Sequence, residues 1–199
     1  YNKFKIYKIK KYYIYIMSSS YNELLFYYYG RLRHMYHYYI SYNEFSADNV
    51  IDNIYIGNIY DAHNTDKLND LNIKNVISAV TGFDNIYDDS FNHLSLNLID
   101  NEDQNIIHYF EITNHYIDNI ISKNISSSSQ YNKNKILIHC ICGVSRSVTI
   151  LLAYIIKKYN YTPQYALKLV KKKRNIANPN PNFMKQLWTY YEEITPKNN

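Results

Sequence analysis

Ile136-Leu137-Ile138-His139-Cys140-Ile141-Cys142-Gly143-Val144-Ser145-Arg146-Ser147 is the stretch that decides the fold. Three apolar residues in a row read as a strand buried on both faces. The strand delivers a Cys to its carboxyl end, five residues follow, and then an Arg opens a helix. In an open α/β sheet, the crevice beyond that end of a strand is where ligands bind. The backbone N–H groups of residues 141–146 are placed to turn inward as an anion nest. The helix beginning near Ser147 aims its positive dipole end at the same point. A cysteine held there gives up its proton easily, because the donors that would bind a phosphate also stabilise a thiolate. Arg146 has the planar fork that grips a phosphoryl group with two N–H bonds. These parts point to nucleophilic phosphoryl transfer through a covalent Cys140–phosphate. A buried structural thiol is the ordinary reading of a lone Cys, but a Cys set between a His and an Arg six residues on is not alone.

Outward from this loop, strands alternate with helices. Val50-Ile51 and Ile54-Tyr55-Ile56 form a short strand pair ending at Gly57-Asn58. Residues 65–71 are a short helix with Thr65 as N-cap. Residues 75–80 and 93–98 read as strands, the second by alternation. Residues 103–123 read as one amphipathic helix, and 124–135 as a low-complexity loop. The helix after Cys140 spans 147–159. Thr162-Pro163 supplies N-cap and N1 of the next, which runs to about Arg174, and Pro181 opens the last, ending near Glu193. This order predicts an α/β fold with a central, mostly parallel sheet of about five strands flanked by helices.

Composition narrows the field. The 199 residues are 46% hydrophobic and 20% charged, with only 4 Gly and 4 Pro, which excludes a wholly disordered or fibrous chain. Two Cys exclude a disulfide scaffold and a four-Cys zinc module. A net charge of +5 is too mild to argue for nucleic acid. No apolar run approaches the ~20 residues of a membrane helix, so no stable membrane insertion is expected. No secretory signal is visible either, and the expected location is cytoplasmic or nuclear. His34 with His37, and His108 with His115, share possible helix faces. Neither pair has the carboxylate or Cys partners of a metal site.

The segment around Cys140 resembles the signature loop H-C-x-x-G-x-S-R-S of the dual-specificity phosphatases, within the protein tyrosine phosphatase superfamily. The likeness extends over residues 48–190. Ile54-Tyr55-Ile56-Gly57-Asn58 with Ala62 resembles the family's entry strand, and residues 75–80 the strand that follows. Arg174, Pro179-Asn180, Phe183, Gln186 and Leu187 match its C-terminal pattern. The resemblance implies a cysteine-phosphatase fold and a two-step hydrolysis without cofactor or metal. Cys140 would attack phosphorus, and Arg146 would bind the phosphoryl oxygens. The phosphate-binding loop would be His139, Ile141, Cys142, Gly143, Val144, Ser145 and Arg146. Asp100, ten residues before Phe110, would act as general acid and then base. Asp103 is the runner-up for that role, or a cap of the long helix. Ser147 would donate its hydroxyl to the departing Cys140 thiolate, or cap its helix, or do both. His139 would orient the loop. Asn180 would brace the active-site loops, or be a turn residue before Pro181. Cys142 departs from the family, which has a small residue there; a Cys-x-Cys disulfide would be strained, so Cys142 reads as a small hydrophobe.

The expected domains are a basic, Tyr-rich, partly helical extension at 1–45, a catalytic domain at 46–193 and a tail at 194–199. In the extension, Lys3, Lys5, Lys8, Lys10 and Lys11 read as a solvated tail, while residues 20–40 have helical periodicity after a Ser20/Glu23 capping box. Met17 would serve as a translation start. Lys171-Lys172-Lys173-Arg174 reads as a solvated basic run at a helix C-terminus. Ile141 and Val144 are neutral where phosphoinositide phosphatases carry Lys, and Ser145 precedes Arg146 where RNA 5′ phosphatases have Asn. A phosphorylated protein substrate is therefore expected. The alternatives are a non-protein phosphate ester, or a module that captures phosphoproteins without turnover.

Overall fold

The apolar run 136–138 lies in the middle strand of the sheet in the computed structural model, which describes residues 45–195 apart from 52, 83–86 and 125–133. Five strands, β1 (Asp48–Ile51), β2 (Ile54–Gly57), β3 (Ile73–Ala79), β4 (Asn92–Leu96) and β5 (Lys135–His139), form one sheet in the order β1-β2-β5-β3-β4. β5 pairs in parallel with β2 on one side and β3 on the other. β4 is parallel to β3, and only β1 runs antiparallel, to β2. Side chains alternate across a strand. Ile136 and Ile138 thus join one core with Ile54, Ile56 and Ile77, while Leu137 joins another with Val76, Ala62 and Leu68. Burial on both faces explains why β5 is apolar without a break.

Among the described residues six helices cover the sheet: α1 (Ile59–His63), α2 (Thr65–Asp70), α3 (Phe110–Ile121), α4 (Arg146–Tyr159), α5 (Pro163–Lys171) and α6 (Pro181–Ile194). The core of Ile136 and Ile138 packs against α3, α4, α5 and α6, whose buried residues include Phe110, Ile117, Leu151, Val170 and Phe183. The core of Leu137 is covered by α1 and α2 through Ala62 and Leu68. Among the described residues no helix is long and apolar enough to cross a membrane.

Several boundaries differ from the sequence reading. α1 is new: Asn58 caps it by accepting from the N–H groups of Tyr60 and Asp61, and Asp61 returns a carboxylate oxygen to Asn58 N at 2.8 Å. Asn64, not Thr65, caps α2. The helix expected from 103 begins as a 3-10 turn at Ile107–Tyr109 and becomes α-helical only at Phe110. Ahead of it, Asn101 Oδ1 accepts from Gln104 N, and Gln104 Oε1 accepts from Ile99 N. Gln186 of α6 then accepts from Ile106 N and Ile107 N at 2.8 and 3.0 Å. Side chains thus satisfy the amides that an earlier helix start would have used. Asp103 lies exposed in this loop and caps nothing. α5 stops at Lys171, three residues short of Arg174, and Arg174 folds inward to 3% exposure. The expected helix at 20–40 lies outside the described residues.

Candidate active site

Cys140 follows β5 directly and is 1% exposed. The loop 141–145 wraps beneath it and leads into α4. What shapes the loop is the fate of its carbonyl groups. Ile141 O accepts from Ile59 N at the start of α1, at 3.1 Å. Gly143 O accepts from Arg174 Nε at 2.7 Å. Val144 O accepts from Asn178 N, and Ser145 O from Thr149 N. Four carbonyls are therefore held outward by four different segments. In a trans peptide the N–H points opposite to the C=O. The amides of Cys142, Val144, Ser145 and Arg146 consequently face the other way, toward a common centre, as an anion nest requires.

Gly143 makes the closest turn. Its φ is +66°, and it donates N–H to Cys140 Sγ at 3.2 Å. A Cβ there would sit 2.5 Å from Arg174 Nη2 and closer still to the Gly57 carbonyl oxygen. Gly143→Ala is therefore expected to lower the melting temperature, with roughly 1–2 kcal/mol from the left-handed backbone alone. It should also abolish tungstate binding, and calorimetry checks both.

The thiol environment is electrostatically mixed. Burial pushes the Cys140 pKa up, but Arg146 and the hydroxyl and amide of Ser147 outweigh it, so the net direction is down. Ser147 Oγ lies 3.3 Å from Sγ. The helix starts at Arg146, with Ser145 in the cap position, so Ser147 does not cap it; its hydroxyl serves the sulfur instead. Arg146 donates from Nη1 to Leu98 O at 3.0 Å, which aims the guanidinium. Its buried Nε has no hydrogen-bond partner among the described residues. The nearest anionic oxygen, Asp100 Oδ2, stands 3.5 Å away as an ion pair and leaves that N–H without a hydrogen bond.

Asp100 reaches the same centre from the loop after β4. Its side chain is 8% exposed, and Oδ2 lies 3.5 Å from Arg146 Nε. Oδ1 accepts from Ser145 Oγ at 3.0 Å and from Asn180 Nδ2 at 2.9 Å. The two readings of Asn180 turn out to be compatible: it caps α6 through Oδ1, and its other side-chain atom holds Asp100. Asp103 is exposed and not part of this cluster. Cys142 is half-buried and forms no disulfide with Cys140. His139 is buried and neutral, its pKa pushed down to about 3 chiefly by burial.

A further ring of residues supports the loop from behind, and its mutual contacts were not visible in the sequence. Arg174 Nη1 bonds Asp48 Oδ2 at 2.7 Å and Ser46 O at 3.2 Å. Ser46 in turn donates to the Asp61 carboxylate. Arg174 matched a family position, but its partners lie 126 and 128 residues away. Local pattern could have found only the Asn58–Asp61 box.

A cysteine at the carboxyl end of a central parallel strand, cradled by a loop that opens a helix, is the arrangement of the cysteine phosphatases. Residues 54–193 match the family described as dual specificity phosphatase, catalytic domain, and the chain belongs to that family. It is 35% identical over 156 residues to the tyrosine-protein phosphatase yvh1 of Schizosaccharomyces pombe, covering 78% of this chain and 44% of that protein. It is 30% identical over 137 residues to a protein phosphatase Slingshot homolog of Xenopus laevis, covering 69% of this chain and 18% of the relative. The chain thus spans less than half the length of these curated relatives. The Yvh1 phosphatase domain of Chaetomium thermophilum superposes with a TM-score of 0.65 at 26% identity, covering 74% of this chain and 96% of the other.

Proposed function

We propose that this chain hydrolyses phosphotyrosine and phosphoserine/threonine in proteins through a Cys140 phosphoenzyme. The observation that carries the reading is the cradle: a thiol with a lowered pKa, inward-facing amides and the buried guanidinium of Arg146 around one centre. In the first step Cys140 Sγ, as thiolate, attacks phosphorus. The P–O bond to the protein side chain breaks, and Asp100 gives its proton to the departing oxygen. The phosphoryl oxygens rest on the loop amides and on Arg146, which carry the charge that spreads over them in the transition state. In the second step Asp100, now a carboxylate, takes a proton from water as the water attacks phosphorus. The S–P bond breaks, and the Ser147 hydroxyl stabilises the returning thiolate. Asn180 and Ser145 hold Asp100 at the mouth.

Turnover of a phosphotyrosine and a phosphothreonine peptide by the reduced chain tests this directly. Phosphate release from both is expected. A folded chain that binds tungstate but releases phosphate from neither overturns the reading in favour of a capture module. The pH profile offers a second check. The reactive species is the thiolate, and its pKa lies below the ordinary thiol value. kcat/KM should therefore hold at neutral pH and fall only as acidity rises through that depressed value. An acid limb near the ordinary thiol value, about 8.5, would contradict the assignment.

A further inference from the structure

Behind Cys140, on the side of the sheet covered by α1 and α2, three polar side chains form a row in an otherwise apolar core. Ser78 of β3 is wholly buried, as is His139 of β5. Ser78 Oγ lies 2.7 Å from His139 Nε2 and 2.7 Å from Nε2 of the half-buried His93 on β4. The other ring nitrogen of His139, Nδ1, faces Cys140 O at 3.4 Å.

The protons in this row can be assigned by elimination. A carbonyl oxygen only accepts, so Nδ1 of His139 carries the proton. The ring is neutral, held so by burial and by the nearby His63, His93 and Arg146. Its Nε2 is then bare and accepts from the Ser78 hydroxyl. A serine has one proton. With that proton given to His139, Ser78 must accept from His93 Nε2–H. The row therefore has one direction, from His93 to Ser78 to His139 to the Cys140 carbonyl. Protonation of His93 leaves it intact, because the Nε2–H persists. Protonation of His139 would reverse its last link, because Nε2–H would then donate to Ser78 and the Ser78 proton would lose its acceptor.

We propose that Ser78 and His93 are positioning residues for the nucleophile, fixing His139 as the Nδ1–H tautomer that holds the Cys140 carbonyl. This rests on the reading of Cys140 given above. The carbonyl belongs to the peptide whose N–H is that of Ile141, the first amide of the loop. A donor on its oxygen turns that N–H toward the cradle and polarises it. His139 does for this peptide what Ile59, Arg174 and Asn178 do for those after it.

The test reads the imidazoles and the thiol, not turnover. Nitrogen-15 NMR of the full chain should find His139 protonated at Nδ1 and bare at Nε2, with His93 protonated at Nε2. Alkylation of Cys140 by iodoacetamide against pH, followed by mass spectrometry, reports the thiolate. Ser78→Ala should move that titration upward and slow alkylation at pH 6 by about 2–12-fold, the loss of one hydrogen bond. His93→Leu should shift it in the same direction. His93→Gln, which keeps an N–H donor, should restore it. A wild-type His139 protonated at Nε2 overturns the proposal. So does a Cys140 titration that neither His93→Leu nor Ser78→Ala moves, whatever either does to melting temperature. A chain without phosphatase activity would still return these readouts, so the two proposals fail separately.

Discussion

Cys140→Ser leaves a folded chain that binds tungstate and releases no phosphate. The substitution introduces no clash, since oxygen is smaller than sulfur, and the site is built from loop amides and Arg146 rather than from the thiol. It removes the nucleophile. A serine hydroxyl is not ionised by the field of one Arg and two hydrogen bonds, whereas the thiol already leans toward thiolate. Turnover should fall by at least about 10⁴-fold, in line with the loss of an essential nucleophile elsewhere. The measurement is phosphate release from both peptides, with tungstate affinity by calorimetry as the control for an intact cradle. Residual turnover above about 1% would mean that another group attacks phosphorus.

Asp100→Ala carries the second large effect. Its carboxylate is held over the cradle by Ser145, Asn180 and Arg146, so its loss should cost about 10²–10⁴-fold in kcat with an alkyl leaving group such as phosphothreonine. The cost should shrink with an aryl ester whose leaving oxygen needs no proton. Asp103→Ala should stay within about twofold for both substrates, since Asp103 is exposed and outside the cluster. A reversed ranking, or an equal loss on both leaving groups, would remove Asp100 from the proton-transfer role.

The centre of the molecule was legible because its information is local. The run 136–138, the Cys and the Arg six positions on lie within one strand–loop–helix, and burial on both faces puts that strand inside the sheet, though it does not set the order of the others. α5 and α6 were legible for the same reason, since Thr162-Pro163 and Asn180-Pro181 are self-contained starts. The segment before α3 was not. Its amides are satisfied by Gln186, about eighty positions away, and no window on residues 97–106 contains that fact. Arg174 misled in another way. A basic run at a helix end looks solvated, yet its last member leaves the helix and crosses to Gly143 and Asp48. Ser78 and His93 sat unremarked because alternation in a strand says which face a residue occupies, not what stands opposite.

The outward-held carbonyls have a consequence for how the protein fails. The cradle is tied at Ile59 near one end of the domain, and at Arg174 and Asn178 near the other. Through Arg174 it is tied also to Asp48 and Ser46. No stretch of chain owns the site, so none can fray without slackening it. Local opening of the loop must then cost nearly as much as global unfolding. Heat should take binding and structure together in one step, and clipping the chain after Lys173 should silence chemistry whose nucleophile stands more than thirty residues earlier.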